Sequence, residues 1–252
     1  MALIAFCGDC HYQIYKMYDF LIAWEKRTGN VLDAVVHVGD YGVDMFGPNW
    51  KHLWDVDKEV PIETWVCMGN HENYPSIQKW QAEPERITRL HLLPDGGVTD
   101  VLGVKIASLW GNFSPKSWMN PDRIKHARDY KVPGTRLALH IYRPSVFQLM
   151  EYEGPVDVLV THDASSIIVP MGFYGNPIPE GIRPVLGLDR DENKTQGCPG
   201  ITDLLRKFEP TYHFYGHYHV KDIRQVEGTK VICLNAFDKN ASEAVEVVQF
   251  GN

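Results

Sequence analysis

The chain has 252 residues, enough to bury one sizeable core. With 44% hydrophobic and 23% charged residues it has the composition of a soluble globular protein, and no run is long and apolar enough to span a bilayer. A formal charge of −7 disfavours non-specific binding to nucleic acid.

In chain order, β-type runs fall at residues 3–6, 34–38, 64–68, 104–109, 158–161, 212–215, 231–234 and 244–248. Several are continuously apolar, as strands covered on both faces are. Between the first two, Ile14, Met17, Tyr18, Leu21 and Ile22 recur at helical spacing, with Glu25 the polar exception. A later helix carries Leu204, Leu205 and Phe208, opened by Thr202 or Gly200 and closed by Pro210. Strand–helix–strand alternation over the first 70 residues predicts a largely parallel sheet there, with a mixed or second sheet later. The expected class is α/β, in one domain over residues 1–252. A Gly/Pro-rich loop at 170–200 is expected to border the site, since long loops in compact domains are usually functional or mobile.

The five cysteines are Cys7, Cys10, Cys67, Cys198 and Cys233. The number is odd, there is no CxxC pair, and three sit in apolar runs. They read as buried thiols of a reducing compartment. The N-terminus has no basic leader region, and cleavage of a signal peptide would remove the first candidate ligand, so the expected compartment is the cytoplasm.

Four strand-like runs end in glycine followed by a metal-ligand side chain: Gly8-Asp9, Gly39-Asp40, Gly69-Asn70 and Gly216-His217. Two carry a histidine two residues on, His11 and His219. Neighbouring strands present their C-terminal ends along one edge, where open α/β proteins build sites. Glycine permits the turn and the close approach that aim the next side chain at a shared ion. Two-residue spacing in extended backbone would put Asp9 with His11, and His217 with His219, on one face. His162 closes another apolar run. The seven ligands divide as Asp9, His11 and His219 at one ion, Asn70, His162 and His217 at the other, and Asp40 between. Imidazole with oxygen suits Mn, Fe, Co, Ni or Zn better than Mg or Ca, and Mn is the ion expected to support activity. Two divalent ions less two carboxylates leave the site near +2, suited to a phosphoryl group and to holding a bridging water as hydroxide.

His71 follows Asn70 and should point elsewhere. It is the candidate catalytic residue, stabilising the transition state or protonating the leaving oxygen; the plainer alternative is orienting a ligand. Glu72 receives no role. His37 and His213 read as packed, and His52, His91, His126 and His140 as surface. Cys10 reads as packed rather than ligating. From Lys116 to Arg143, seven basic residues face two acidic ones, a net +5 that leaves −12 for the rest. The plain reading is a solvated face; the functional one is a grip on phosphates beyond the scissile one. There is no Gly-x-Ser-x-Gly elbow, no P-loop and no dinucleotide glycine pattern.

The ordered blocks Gly8-Asp9-Cys10-His11, Gly39-Asp40, Gly69-Asn70-His71-Glu72, Thr161-His162 and Gly216-His217-Tyr218-His219 resemble the calcineurin-like metallophosphoesterase superfamily. Within it the chain is most similar to lariat RNA debranching enzymes, through Gly69 to Asn73, Thr161-His162-Asp163 and the stretch from Gly197 to Lys221. Ser/Thr protein phosphatases have Asp-Arg-Gly where this chain has Asp40-Tyr41-Gly42. Many debranching enzymes have cysteine where this chain has Asp9. The resemblance implies a four-layer sandwich, two mixed sheets flanked by helices. It also implies the same seven ligands, His71 as the catalytic histidine, and hydrolysis by a metal-bridging hydroxide. The expected substrate is a phosphodiester, with a nucleotide or RNA as the partner and no membrane or obligate protein partner. The alternatives are a phosphomonoesterase or protein phosphatase, and a metal-binding scaffold on the same fold.

Overall fold

The structure is a computed structural model and describes residues 1–42, 56–129, 137–168 and 197–251. Most of the expected 170–200 loop, as well as His52, Lys131 and Arg136, lie outside those residues. Eleven strands are described: β1 (Ala2–Cys7), β2 (Ala34–His37), β3 (Thr64–Val66), β4 (Leu90–Leu92), β5 (Gly97–Val101), β6 (Val104–Leu109), β7 (Val158–Thr161), β8 (Tyr212–Tyr215), β9 (Asp222–Val226), β10 (Thr229–Cys233) and β11 (Val245–Phe250). They form a five-stranded sheet in the order β11-β1-β2-β3-β4 and a six-stranded sheet in the order β5-β6-β7-β8-β10-β9. In the first, β1 to β4 are parallel and β11 is antiparallel. In the second, β6, β7, β8 and β10 are parallel, and the edge strands β5 and β9 are antiparallel. Both sheets are therefore mixed.

Period-2 alternation explains how the second sheet faces two cores. Ile106, Val158, Val160, Phe214 and Ile232 join the core shared with the first sheet. Their chain neighbours Ala107, Leu109, Leu159, Tyr215, Val231 and Cys233 face the other way. Across the inter-sheet space Phe6 stacks on Phe214 with ring centroids 3.9 Å apart.

Helices cover the outer faces. Those described are α1 (Ile14–Thr28), α2 (Tyr74–Ala82), α3 (Pro115–Met119), α4 (Asp122–Asp129), α5 (Arg143–Glu151) and α6 (Pro199–Phe208). Helix α1 buries Ile14, Met17, Tyr18 and Leu21 and ends at Gly29, whose φ of 73° only glycine adopts freely. Helix α6 buries Ile201, Leu204 and Leu205 with Val146 and Leu149 of α5 against the second sheet. It starts earlier than Gly200 or Thr202, because Pro199 suits the first helical position, where no amide bond is lost. No described helix is long and apolar enough to cross a membrane.

The parallel strands β1, β2, β3, β7 and β8 end at one rim. Asp9, Asp40, Asn70, His162 and His217 each follow one of these strands by one to four residues.

Candidate metal centre

The structure brings the seven candidate ligands to that rim. Asp9, His11 and His219 form one group and Asp9, Asp40 and His162 another, each with ligand atoms within 4.8 Å of one another. His219 Nε2 lies 3.0 Å from Asp9 Oδ2 and 2.8 Å from His11 Nε2. His162 Nε2 lies 3.1 Å from Asn70 Oδ1 and 3.4 Å from Asp40 Oδ2. His217 meets the His162 ring edge at a centroid distance of 5.1 Å. His11 (16%), His71 (24%) and His219 (33%) are partly exposed, as is His217, whereas Asp9, Asp40 and His162 are at most 1% exposed. The centre therefore opens on the side of these histidines.

The route to convergence differs from the extended spacing expected. His11, Asp40, His217 and His219 all have positive φ, at 41°, 55°, 68° and 51°. The ligands themselves occupy the left-handed turn, a strained conformation for non-glycine residues that recurs at functional sites. Of the four preceding glycines only Gly39 has a positive φ, 115°. Gly69 is needed for room instead: a Cβ there would stand 2.1 Å from Asp40 Oδ1.

Asp40 carries the test of fit for a cation. Its Oδ1 accepts the His71 amide at 2.8 Å. Its Oδ2 is buried and has no hydrogen-bond partner among the described residues. Two imidazole nitrogens face that oxygen, His162 Nε2 and His71 Nε2, the latter at 4.0 Å. A buried carboxylate oxygen without a hydrogen bond needs a positive charge close by, which either a protonated imidazole or a metal ion can supply. His11 Nε2 and His219 Nε2, both ligand-type nitrogens, meet at hydrogen-bond distance beside Asp9. The donor set of carboxylate, amide oxygen and imidazole fits a divalent transition ion.

The titration of these groups reflects their packing. Burial would raise the Asp40 carboxyl, but His162 and then His71 outweigh it and hold it well below the usual carboxylate range. Burial would lower His162, but Asp40 reverses this and raises it to about 10. His219 is raised, first by its hydrogen bond to Asp9. Burial lowers His217. His71 packs edge-on against His11, 5.1 Å between centroids, and His11, Asp40 and His71 form a third group with ligand atoms within 4.8 Å of one another.

Cys10 packs as expected, its thiol donating to the Tyr41 carbonyl. His37 and His213 are buried, and burial lowers both to about 3, so they are neutral. His140 departs from the surface reading: it is partly buried, its Nδ1 lies 2.8 Å from Ser117 Oγ, and burial followed by Arg123 lowers its pKa. In the basic segment, Arg128 pairs with Asp95 at 2.8 Å and lies over the Tyr74 and Tyr142 rings, while Lys125 pairs with Asp129. Both carry structural contacts.

Residues given no role in the sequence hold the ligand turns. Glu72 accepts the Tyr41 and Gly42 amides at 2.8 and 2.9 Å, fixing the turn after Asp40. Asp163 accepts the amides of Phe113 and Ala164 and the Tyr218 hydroxyl. The only sequence signal was a carboxylate directly after a ligand block, which cannot reveal which amides it meets.

A family model described as calcineurin-like phosphoesterase matches residues 2–221. The human lariat debranching enzyme is 26% identical over 235 residues, covering 86% of this chain and 42% of the human one. The Arabidopsis thaliana lariat debranching enzyme is 25% identical over 238 residues, covering 86% of this chain and 54% of its own. The chain thus spans about half the length of these relatives. Among solved structures, the phosphopantetheinyl hydrolase of Mycobacterium tuberculosis shares the fold with a TM-score of 0.53 at 12% identity, over 100% of this chain and 98% of that one. A Thermus thermophilus protein matches with a TM-score of 0.56 at 11% identity, over 98% of both chains.

Proposed function

The chain belongs to the calcineurin-like phosphoesterase family of metal-dependent phosphoester hydrolases, and from that premise we propose that it hydrolyses phosphodiesters at a two-metal centre. Asp9, His11 and His219 would hold one ion, Asn70, His162 and His217 the other, and Asp40 both. Two divalent ions there would neutralise phosphate charge and lower the pKa of water from about 15.7 to about 7. The observation that carries this reading is the buried Asp40 Oδ2, which makes no hydrogen bond among the described residues and is faced by ligand-type nitrogens from two other turns.

The protein's own groups supply the rest. Asp40 Oδ1 fixes the His71 backbone through the amide. That leaves the His71 ring at the open side, where it can hold a proton on Nε2 for the leaving oxygen. Substrate enters past His11, His71 and His219. The debranching enzymes among the relatives, by name, make a 2′,5′-branched RNA the first nucleic-acid substrate to try.

The test is metal analysis after supply of Mn²⁺, Fe²⁺, Co²⁺, Ni²⁺ or Zn²⁺, with hydrolysis of an aryl phosphodiester, the matching monoester and a 2′,5′-branched oligonucleotide. Two bound ions and preferential cleavage of the diester support the proposal. Preference for the monoester overturns the diester assignment. No turnover with any ion leaves a scaffold.

A further inference from the structure

Asp163 is a buried carboxylate. It accepts three hydrogen bonds: the Phe113 amide at 2.6 Å, the Ala164 amide at 2.7 Å and the Tyr218 hydroxyl at 2.7 Å. Phe113 lies in the turn after β6, Asp163 in the turn after β7 and Tyr218 in the turn after β8. These three strands are neighbours in the sheet. One side chain therefore ties three adjacent exit turns together.

The backbone of Asp163 is held as well. The Thr161 hydroxyl donates to the Asp163 carbonyl at 2.6 Å. That hydroxyl has one proton, so at its other contact, 2.9 Å from His213 Nε2, it is the acceptor and the imidazole donates. Burying a carboxylate is costly, and its hydrogen bonds offset that cost only while all are made. A neutral amide could occupy the same place more cheaply.

The tied turns carry proposed ligands on both sides. His162 immediately precedes Asp163. Tyr218 sits between His217 and His219, both at positive φ. We propose that Asp163, acting through Tyr218 and the Phe113 amide, is a positioning residue that sets His162 against His217 and His219. This rests on the two-metal reading above. Outer partners of metal ligands typically carry about 10- to 100-fold in metal affinity or activity.

The experiment compares wild type, Tyr218→Phe and Asp163→Asn, using Mn²⁺ titration of the folded protein well below its melting temperature and ¹⁵N-histidine spectra of the metal-free protein. Tyr218→Phe removes one hydroxyl and keeps the ring, so it remains informative should Asp163→Asn fail to fold. The expected result is Mn²⁺ affinity about 10-fold weaker in Tyr218→Phe. The His162 and His217 resonances of the metal-free variant should also shift or broaden. A lower melting temperature with unchanged Mn²⁺ affinity and unchanged histidine spectra would reduce the contact to fold stability and overturn the proposal. The spectra need neither metal nor turnover. A wild type that cleaves no phosphoester overturns the functional reading alone, while the spectra still decide this one.

Discussion

Gly216 and Asp9 are 207 positions apart, yet a Cβ on Gly216 would stand 2.1 Å from Asp9 Oδ1. The amide that follows, His217 N–H, donates to both Asp9 oxygens at 3.1 Å. The carboxylate thus lies flat against the β8 exit turn, and the missing side chain is what permits it. Gly216→Ala must push Asp9 or the turn aside. Overpacking of this kind costs about 1–3 kcal/mol, and here the displaced group is a proposed ligand. Denaturant unfolding should show that loss, and Mn²⁺ uptake should fall further than stability does. Wild-type uptake in the alanine variant would mean that Asp9 does not ligate.

His71 offers the opposite separation. It lies on the open side, with its amide anchored on Asp40 and its ring 24% exposed. His71→Asn keeps the backbone donor and removes the imidazole. If the ring acts as general acid, kcat should drop by about 10²- to 10⁴-fold while two ions still bind. Loss of an ion in this variant would place His71 among the ligands instead, a role that its proximity to His11 and Asp40 also allows.

The rim was legible in the sequence because each candidate ligand comes within a few residues of the end of a strand-like run, and this recurs in five strands. The strands left unread are β4, β5 and β9. β4 has only three residues, while β5 and β9 are edge strands carrying Thr99, Asp100, Arg224 and Gln225, whose polarity suits a solvated margin. Helices α2 to α5 escaped because five to nine residues hold too few turns to show a stripe. In the site, the residues that converge were readable but the backbone was not: nothing in Asp9-Cys10-His11 announces a left-handed His11. Glu72 and Asp163 were unreadable in role because their partners lie 30 to 55 residues away.

Metal uptake should be proton-linked. In the metal-free protein burial would depress His162, but the Asp40 carboxylate raises it to about 10. At neutral pH the ring is therefore protonated, and it must be neutral to ligate. Binding releases that proton, so apparent affinity should rise about tenfold per pH unit below the raised pKa, from this group alone. Calorimetry at pH 7 in two buffers of different ionisation enthalpy reads the release directly. Asp40→Asn, which removes the cause of the shift, should abolish most of it. Equal heats in both buffers for the wild type would show that His162 is already neutral or does not bind.

Asp57 gives a prediction about stability that should leave the chemistry untouched. Its carboxylate accepts the amides of Thr88, Arg89 and Leu90 at 2.7–3.0 Å and the Thr88 hydroxyl at 3.0 Å. It thereby pins the helical turn at 56–59 to the start of β4. Burial pushes this carboxyl up, but the three amides outweigh it, and the pKa falls below the ordinary value. A group depressed in the folded state adds stability above its unfolded pKa and loses it as the pH falls through the folded one. The contribution should therefore be complete at neutral pH and fade below about pH 4. Asp57→Asn should cost about 1–3 kcal/mol at pH 7, because an amide cannot accept all four bonds and leaves donors unsatisfied. The difference from wild type should shrink in denaturant titrations run near pH 3. Hydrolysis per bound metal should be unchanged, since the cluster lies at the β4 end of the first sheet, where strands begin, opposite the ligand rim. A variant equally stable at pH 7, or a gap that widens in acid, would show that these bonds contribute nothing net to the fold.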